Sequence, residues 1–147
     1  MKTVVIDSSA LVALAIPNDA DHQKAVALSQ RLKESDTPIL LPGEVLSETL
    51  NLLGKMQGRA FASAIGDQLL TDPSIHLAAL DNERFRVALT KWEKQTSGVS
   101  YTDCVVMAAA DETEKKAGEK PAIFGFDAVF AKNGYRLPVV PKEREAA

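Results

Sequence analysis

The sequence predicts a three-layer α/β domain with a mostly parallel central sheet. Three observations carry this reading. First, Val4-Val5-Ile6, Pro38-Ile39-Leu40-Leu41 and Pro121-Ala122-Ile123-Phe124 are continuous apolar runs. Alternating patterns mark strands with one wet face; continuous ones mark strands buried on both faces. Second, segments of helical spacing separate these runs. Third, the order is strand, helices, strand, two helices, strand, helix, helix, strand, short helix, strand. No internal repeat or low-complexity segment interrupts it.

Each element has a local reason. Thr3 to Ile6 is rich in β-branched residues, which stiffen an extended backbone. Asp7 follows, and Ala10 to Ala15 is a short apolar helix. Pro17-Asn18-Asp19 turns the chain. Asp19 or Asp21 opens a second helix, with Ala25, Ala27, Leu28 and Leu32 as its apolar positions. His22, near its start, reads as a surface or packing histidine. Ser35-Asp36-Thr37 is a loop before the strand at Pro38 to Leu41, which Pro42-Gly43 ends. The next helix carries Val45, Leu46, Thr49, Leu50, Leu52 and Leu53 on or beside its buried face. Gly54 and Gly58 mark a helix–helix joint. Arg59 to Leu70 forms the partner helix, with Phe61, Ile65 and Leu69 as its stripe.

Thr71-Asp72-Pro73 breaks the chain before an edge strand at Ile75 to Ala78. Asp81 or Asn82 caps a helix running to about Gln95, in which Phe85, Leu89 and Trp92 recur at helical spacing. Trp92 reads as a core anchor there. After Thr96-Ser97-Gly98, the run Cys104 to Ala110 is the most continuous apolar helix and is expected to be central. Glu112 to Lys120 is a charged tail and loop. The strand ending at Phe124 is followed by one helical turn at Ala128 to Lys132, the turn Asn133-Gly134, and a last edge strand at Tyr135 to Val140. The domain is expected to span residues 1–140, with 141–147 as a loose tail.

Bulk properties narrow the function classes. A chain of 147 residues is one ordinary domain. At 46% hydrophobic and 25% charged it has globular composition. The single cysteine, Cys104, excludes an internal disulfide framework and a cysteine-cluster metal site. The apolar stretch at the N-terminus is broken by Asp7, which argues against a signal peptide or a membrane span. A cytoplasmic protein is expected. A net charge of −3 does not advertise a nucleic-acid binder. It does not exclude one, since carboxylates gathered in a metal site would mask basic residues elsewhere.

Asp7 and Asp127 each follow an apolar strand, Asp103 stands in the first turn of the buried helix, and Glu48 lies early in the helix after the second strand. In a parallel sheet, strand carboxyl ends and helix amino ends share one edge, where such folds place their chemistry. Four carboxylates meeting there repel one another. A divalent cation relieves this, and an all-oxygen set favours Mg2+ or Mn2+ over zinc. Every residue also has a structural reading. Asp7 and Asp127 can cap helices. Ser100 and Asp103 have the spacing of a capping box. Glu48 can pair with Lys24 or Lys55, and Glu44, four residues earlier on the same helical side, competes with it for the pocket.

The pieces Val5-Ile6-Asp7-Ser8-Ser9-Ala10-Leu11, Pro42 through Leu50, Ser100-Tyr101-Thr102-Asp103, and Phe126-Asp127-Ala128-Val129-Phe130 followed by Gly134 resemble, in order and spacing, PIN-domain ribonucleases. The resemblance is greatest to VapC-type toxins of toxin–antitoxin pairs. It runs from Val4 to about Leu137. It implies a PIN-like α/β/α domain and four acidic positions at Asp7, Glu48, Asp103 and Asp127 as catalytic and metal-binding residues. Glu48 is preferred over Glu44 because the family's glutamate stands six residues past the strand-ending proline, here Pro42. A hydroxyl before the third acid corresponds to Ser100; Ser9 and Ser100 are candidates to touch a ligand carboxylate or a substrate phosphate. One departure is Gly125, where the family often has Thr or Ser two residues before the last aspartate.

What the resemblance implies is Mg2+- or Mn2+-dependent cleavage of RNA, an antitoxin protein as partner, and a homodimer formed through helices around residues 45–70. Lys55, Arg59, Arg84, Lys91 and Lys132 are candidates to border the site and meet phosphate. Two other readings stand beside it. One is a metal-dependent phosphohydrolase of another α/β family; those that transfer phosphate usually carry a second Asp two residues past the first, and Ser9 stands there. The other is a non-catalytic PIN-like module that binds RNA or protein.

Overall fold

A computed structural model of the chain describes residues 3–79, 81–117 and 122–139. Its elements are β1 (Val4–Ile6), α1 (Ser8–Ala15), α2 (His22–Glu34), β2 (Ile39–Pro42), α3 (Gly43–Gln57), α4 (Arg59–Thr71), β3 (Ile75–Ala78), α5 (Asn82–Glu93), α6 (Tyr101–Ala117), β4 (Ile123–Phe124) and α7 (Ala128–Lys132). The strands line up as β3-β2-β1-β4, and every pairing is parallel. This is the expected α/β/α architecture. The apolar runs explain it: Val4, Val5, Ile6, Leu41, Ile123 and Phe124 are all buried, as strands covered on both faces must be. β3 lies at the edge, as expected, and exposes Leu77.

Parallel partners point to the same face, so Ile6, Ile39, Ile75 and Phe124 share one side of the sheet. They face Leu11 and Leu14 of α1 and Ile65 and Leu69 of α4 across an apolar cavity of about 210 Å³. On the other side α6 packs across β1, β2 and β4. Cys104 through Ala110 are all buried, so this helix is central, as its composition predicts. Gly58 joins α3 to α4 with φ +90, a backbone state that only glycine reaches without strain. His22 is a packing histidine, its Nδ1 2.6 Å from the Ala13 carbonyl.

Several details differ from the sequence reading. α1 starts at Ser8 rather than Ala10, because Asp7 caps it from outside the helix. Ala27 faces solvent, and Val26 takes the half-buried place beside Ala25. Leu52 is exposed on α3, whose buried stripe is Val45, Thr49 and Leu53. Trp92 is not a core anchor: it is 45% exposed. α5 buries only Ala88, so its aromatic face lies over the flank of α6. There Trp92 donates its Nε1 hydrogen to the Val99 carbonyl and meets the Tyr101 ring edge-on at 5.8 Å. Leu89 is exposed for the same reason. α6 continues to Ala117 through residues read as a charged tail. Residues 135–139 form no strand; only the Arg136 carbonyl accepts from the Ile123 N–H beside β4. Position 140 and the tail at 141–147 lie outside the described residues.

Candidate active site

β1 is central, with β2 on one side and β4 on the other. The chain therefore leaves β1 toward one edge and returns later to the opposite side, the arrangement that opens a crevice at the strands' carboxyl ends. Asp7 follows β1, Glu48 lies in the second turn of α3 after β2, and Asp127 follows β4. Asp103 comes in from the first turn of α6. All four line one cleft of about 400 Å³, together with Ser8, Ser9 and Ser100. Asp19 and Asp21 also line it; sequence reasoning assigned them only to turn and cap roles. Glu44 is not among its lining residues; its charge is felt by Tyr101 instead.

Asp7 is the floor of the cleft. It is 2% exposed. Its Oδ2 accepts from the Ser9 hydroxyl at 2.7 Å and from the Ser9 N–H at 3.2 Å. The same hydroxyl accepts from the Phe126 N–H at 2.9 Å, which ties the turn after β1 to the segment after β4. The Asp7 N–H itself donates to the Phe124 carbonyl at 3.0 Å. Among the described residues, Oδ1 of Asp7 is the one buried side-chain oxygen or nitrogen with no hydrogen-bond partner. An orphaned buried carboxylate oxygen is costly, and native sites that carry one have a use for it.

Burial holds the Asp7 carboxyl above the usual carboxylate range; hydrogen bonds from Ser9 oppose this, and the Glu48 charge adds to it. Asp103 is also raised, first by burial and then by the charges of Asp7 and Asp127. The acids therefore feel one another, as like charges in one cleft must. Asp103 keeps its cap role as well: its N–H donates to the Ser100 hydroxyl at 3.0 Å, and its Oδ2 accepts from the Ser100 N–H at 3.3 Å. Asp127 is the exposed member and caps α7 through the Val129 N–H. Glu48 is paired with neither Lys24 nor Lys55; its Oε2 accepts from the Ser8 hydroxyl at 2.8 Å. Ser8 is the residue that sequence reasoning passed over. A hydroxyl adjoining the first aspartate was the available signal, but nothing local says which way it turns.

Gly125 is explained by space. A Cβ there would lie 2.8 Å from the Cβ of Asp7 and 2.9 Å from the Phe130 ring. The flanking bonds to Phe124 and Phe126 leave the segment no room to retreat. A Thr or Ser hydroxyl has no place at this position in this chain.

The donor set suits a hard divalent cation: oxygen only, mutually repelling, with one buried oxygen unpartnered. As placed, no three His, Cys, Asp or Glu side chains among the described residues stand close enough to enclose an ion. Of the basic candidates, Arg84 is bound to Glu112 at 2.9 Å and Lys91 to Asp111 at 2.6 Å. Lys55, Arg59 and Lys132 are exposed. Lys24 is a further cation, its ammonium 5.7 Å from the ring centre of Phe126, the residue that precedes Asp127. No helix among the described residues is long and apolar enough to cross a membrane.

Comparison with known proteins bears on the fold and the family. No curated protein sequence matches the chain. Among solved structures, the chain is similar to Mycobacterium tuberculosis VapC20, described as a toxin that cleaves the sarcin-ricin loop. The TM-score is 0.72 and the identity 22%, with 90% of this chain and 95% of that one covered. It is also similar to PAE2754 from Pyrobaculum aerophilum, with a TM-score of 0.54, 19% identity, and 92% and 83% of the two chains covered. At these identities the likeness is one of fold. The PIN domain family profile matches residues 4–134, and the chain belongs to the PIN-domain family.

Proposed function

We propose that the chain is a divalent-cation-dependent endoribonuclease, the toxin of a toxin–antitoxin pair. The observation that carries the reading is the orphaned Asp7 Oδ1 on the floor of a cleft also lined by Glu48, Asp103 and Asp127. Asp7 and Asp103 would hold Mg2+ or Mn2+, with Glu48 and Asp127 completing the set. When bound, the cation supplies neutralisation of the carboxylates and Lewis-acid stabilisation of the phosphoryl oxygens. Glu48 and Asp127 orient the attacking water, and a carboxylate takes its proton. The water oxygen bonds to phosphorus, the bond to the 3′ oxygen breaks, and that oxygen leaves protonated. The products carry a 5′-phosphate and a 3′-hydroxyl. Ser9 holds Asp7 in place, and Ser100 holds Asp103. Lys24, Lys55, Arg59 and Lys132 are the cations available to meet the RNA backbone.

RNA loops are the substrate class to test first, because VapC20 is described as acting on one. An antitoxin protein would cover the cleft. Exposed Leu52, Met56 and Leu70 on α3 and α4 support a homodimer through these helices. A cytoplasmic location fits both partners. One observation favours a binding module instead: the acids, as placed, do not enclose an ion.

RNA-end mapping after brief expression of wild type and Asp7→Ala decides between these readings. The nuclease reading expects new 5′-phosphate ends with wild type and their loss, by at least 100-fold, with Asp7→Ala. RNA binding without new ends, and without Mn2+ binding, would establish the module.

A further inference from the structure

The first turn of α1 holds two adjacent hydroxyls that serve different carboxylates. Ser9 turns back to Asp7, while Ser8 turns across to α3 and donates to Oε2 of Glu48 at 2.8 Å. Ser8 is 8% exposed, so little water competes for its hydrogen. As the first residue of α1 it has no preceding helical turn whose carbonyl could claim that hydrogen. Glu48 itself is half-buried on a helix that packs against α1. A glutamate side chain has several freely rotating bonds, and fixing them costs conformational entropy. Only a directed partner selects one rotamer. Ser8 is covalently next to Asp7, so a bond from its hydroxyl to Glu48 measures Glu48 against Asp7 through the rigid first turn of a helix.

We propose that Ser8 is a positioning residue: its hydroxyl sets the Glu48 carboxylate at a fixed distance from Asp7. The role rests on the nuclease reading above. It explains why Glu48, and not Glu44, belongs to the cleft: Glu48 is the glutamate within reach of a buried donor on α1. It also divides labour within the pair. Ser9 joins the start of α1 to the segment after β4 through Phe126, and Ser8 joins it to α3. In this role Ser8 acts through Glu48 rather than on the reacting atoms.

The test uses the full chain as wild type, Ser8→Ala, Ser8→Thr, Glu48→Ala and the Ser8→Ala/Glu48→Ala double variant. Mn2+ affinity is measured by calorimetric titration, and RNA cleavage as kcat and KM separately. Partners that orient ligands typically change metal affinity or activity by about 10–100-fold. Ser8→Ala is expected to weaken Mn2+ binding by about 10-fold and to lower kcat with KM little changed. Ser8→Thr, which keeps the hydroxyl, restores most of both. In the Glu48→Ala background, removing the Ser8 hydroxyl has no further effect on Mn2+ affinity. Wild-type Mn2+ binding and kcat in Ser8→Ala would overturn the proposal, as would a Ser8→Ala loss that persists undiminished without Glu48. If wild type binds Mn2+ but cleaves no RNA, the nuclease reading fails while the affinity series still decides the role of Ser8. A Ser8→Ala chain with a lowered melting temperature is read against Ser8→Thr, whose fold and hydroxyl are both retained.

Discussion

The two oxygens of Asp7 have different fates. Oδ2 caps α1 and is gripped by the Ser9 hydroxyl, while among the described residues the buried Oδ1 finds no hydrogen-bond partner. Burial raises its affinity for a proton, so the folded chain holds that proton more tightly than the unfolded chain does. Between the ordinary carboxylate value of 3.8 and the raised folded value, the folded state carries more protons, and stability falls as pH rises through this window. In EDTA at neutral pH, Asp7→Asn is therefore expected to melt above wild type. The difference should shrink as pH falls through this window and level off below the ordinary value, where Asp7 is neutral in both states. Melting curves of the two proteins across that range check it; an Asp7→Asn chain less stable than wild type at every pH would show that the carboxylate is not a burden. Such a cost is expected where function, rather than stability, selects the residue. At this scale the sequence was readable in kind but not in partner. Asp7, Glu48, Asp103 and Asp127 announce themselves as acids at strand-to-helix junctions. That Ser8 takes Glu48, forty residues away, while Ser9 takes Asp7, two residues back, depends on two rotamers that no local pattern sets.

Elements with one dominant pattern were legible, and those with two were not. α6 was readable because Cys104 to Ala110 leaves no polar face to choose. α5 offers Phe85, Leu89 and Trp92 at helical spacing, yet buries only Ala88. Its position on the rim of α6 was decided by α6, whose small Ala108, Ala109 and Ala110 are taken up by the core. Trp92 then serves as a latch on the loop before α6, through one hydrogen bond to Val99 and one ring contact. Trp92→Phe keeps an aromatic ring and removes the donor. It should lower stability by about 0.5–1.5 kcal/mol, the net worth of one hydrogen bond. Denaturant titration measures this, and a change of 3 kcal/mol or more, of the size about expected for a core truncation, would restore Trp92 to the core. The missing last strand has a similar cause. Residues 135–139 share only one ladder bond with β4, through Arg136, too little to continue the sheet.

At the scale of the molecule, the cleft stores like charge that a cation would release. A ligand bound only by the folded state adds stability as its concentration exceeds its dissociation constant, by about 2.7 kcal/mol at a hundredfold excess. Mn2+ should therefore raise the melting temperature of wild type and leave that of Asp7→Ala nearly unchanged; equal shifts in both would place the ion elsewhere. The fold class was legible because strand order in a parallel sheet follows from a few rules, and continuous apolar strands demand cover on both faces. The cleft's membership was legible only as an edge of the sheet, not as a set of bonds.

The hydrogen bond from Phe126 to Ser9 spans 117 residues. β1 cannot gain its β4 neighbour, nor the cleft its last wall, until residues 123–127 are available. Contacts of such long range form late, after the loop-closure cost has been met. On the ribosome, Asp7 is the first of the four acids to emerge and Asp127 the last. The growing polypeptide gains Glu48 and Asp103 in turn, and no complete cleft exists until residue 127 has been made, so an acid-by-acid assembly of the site is impossible before β4 is in place.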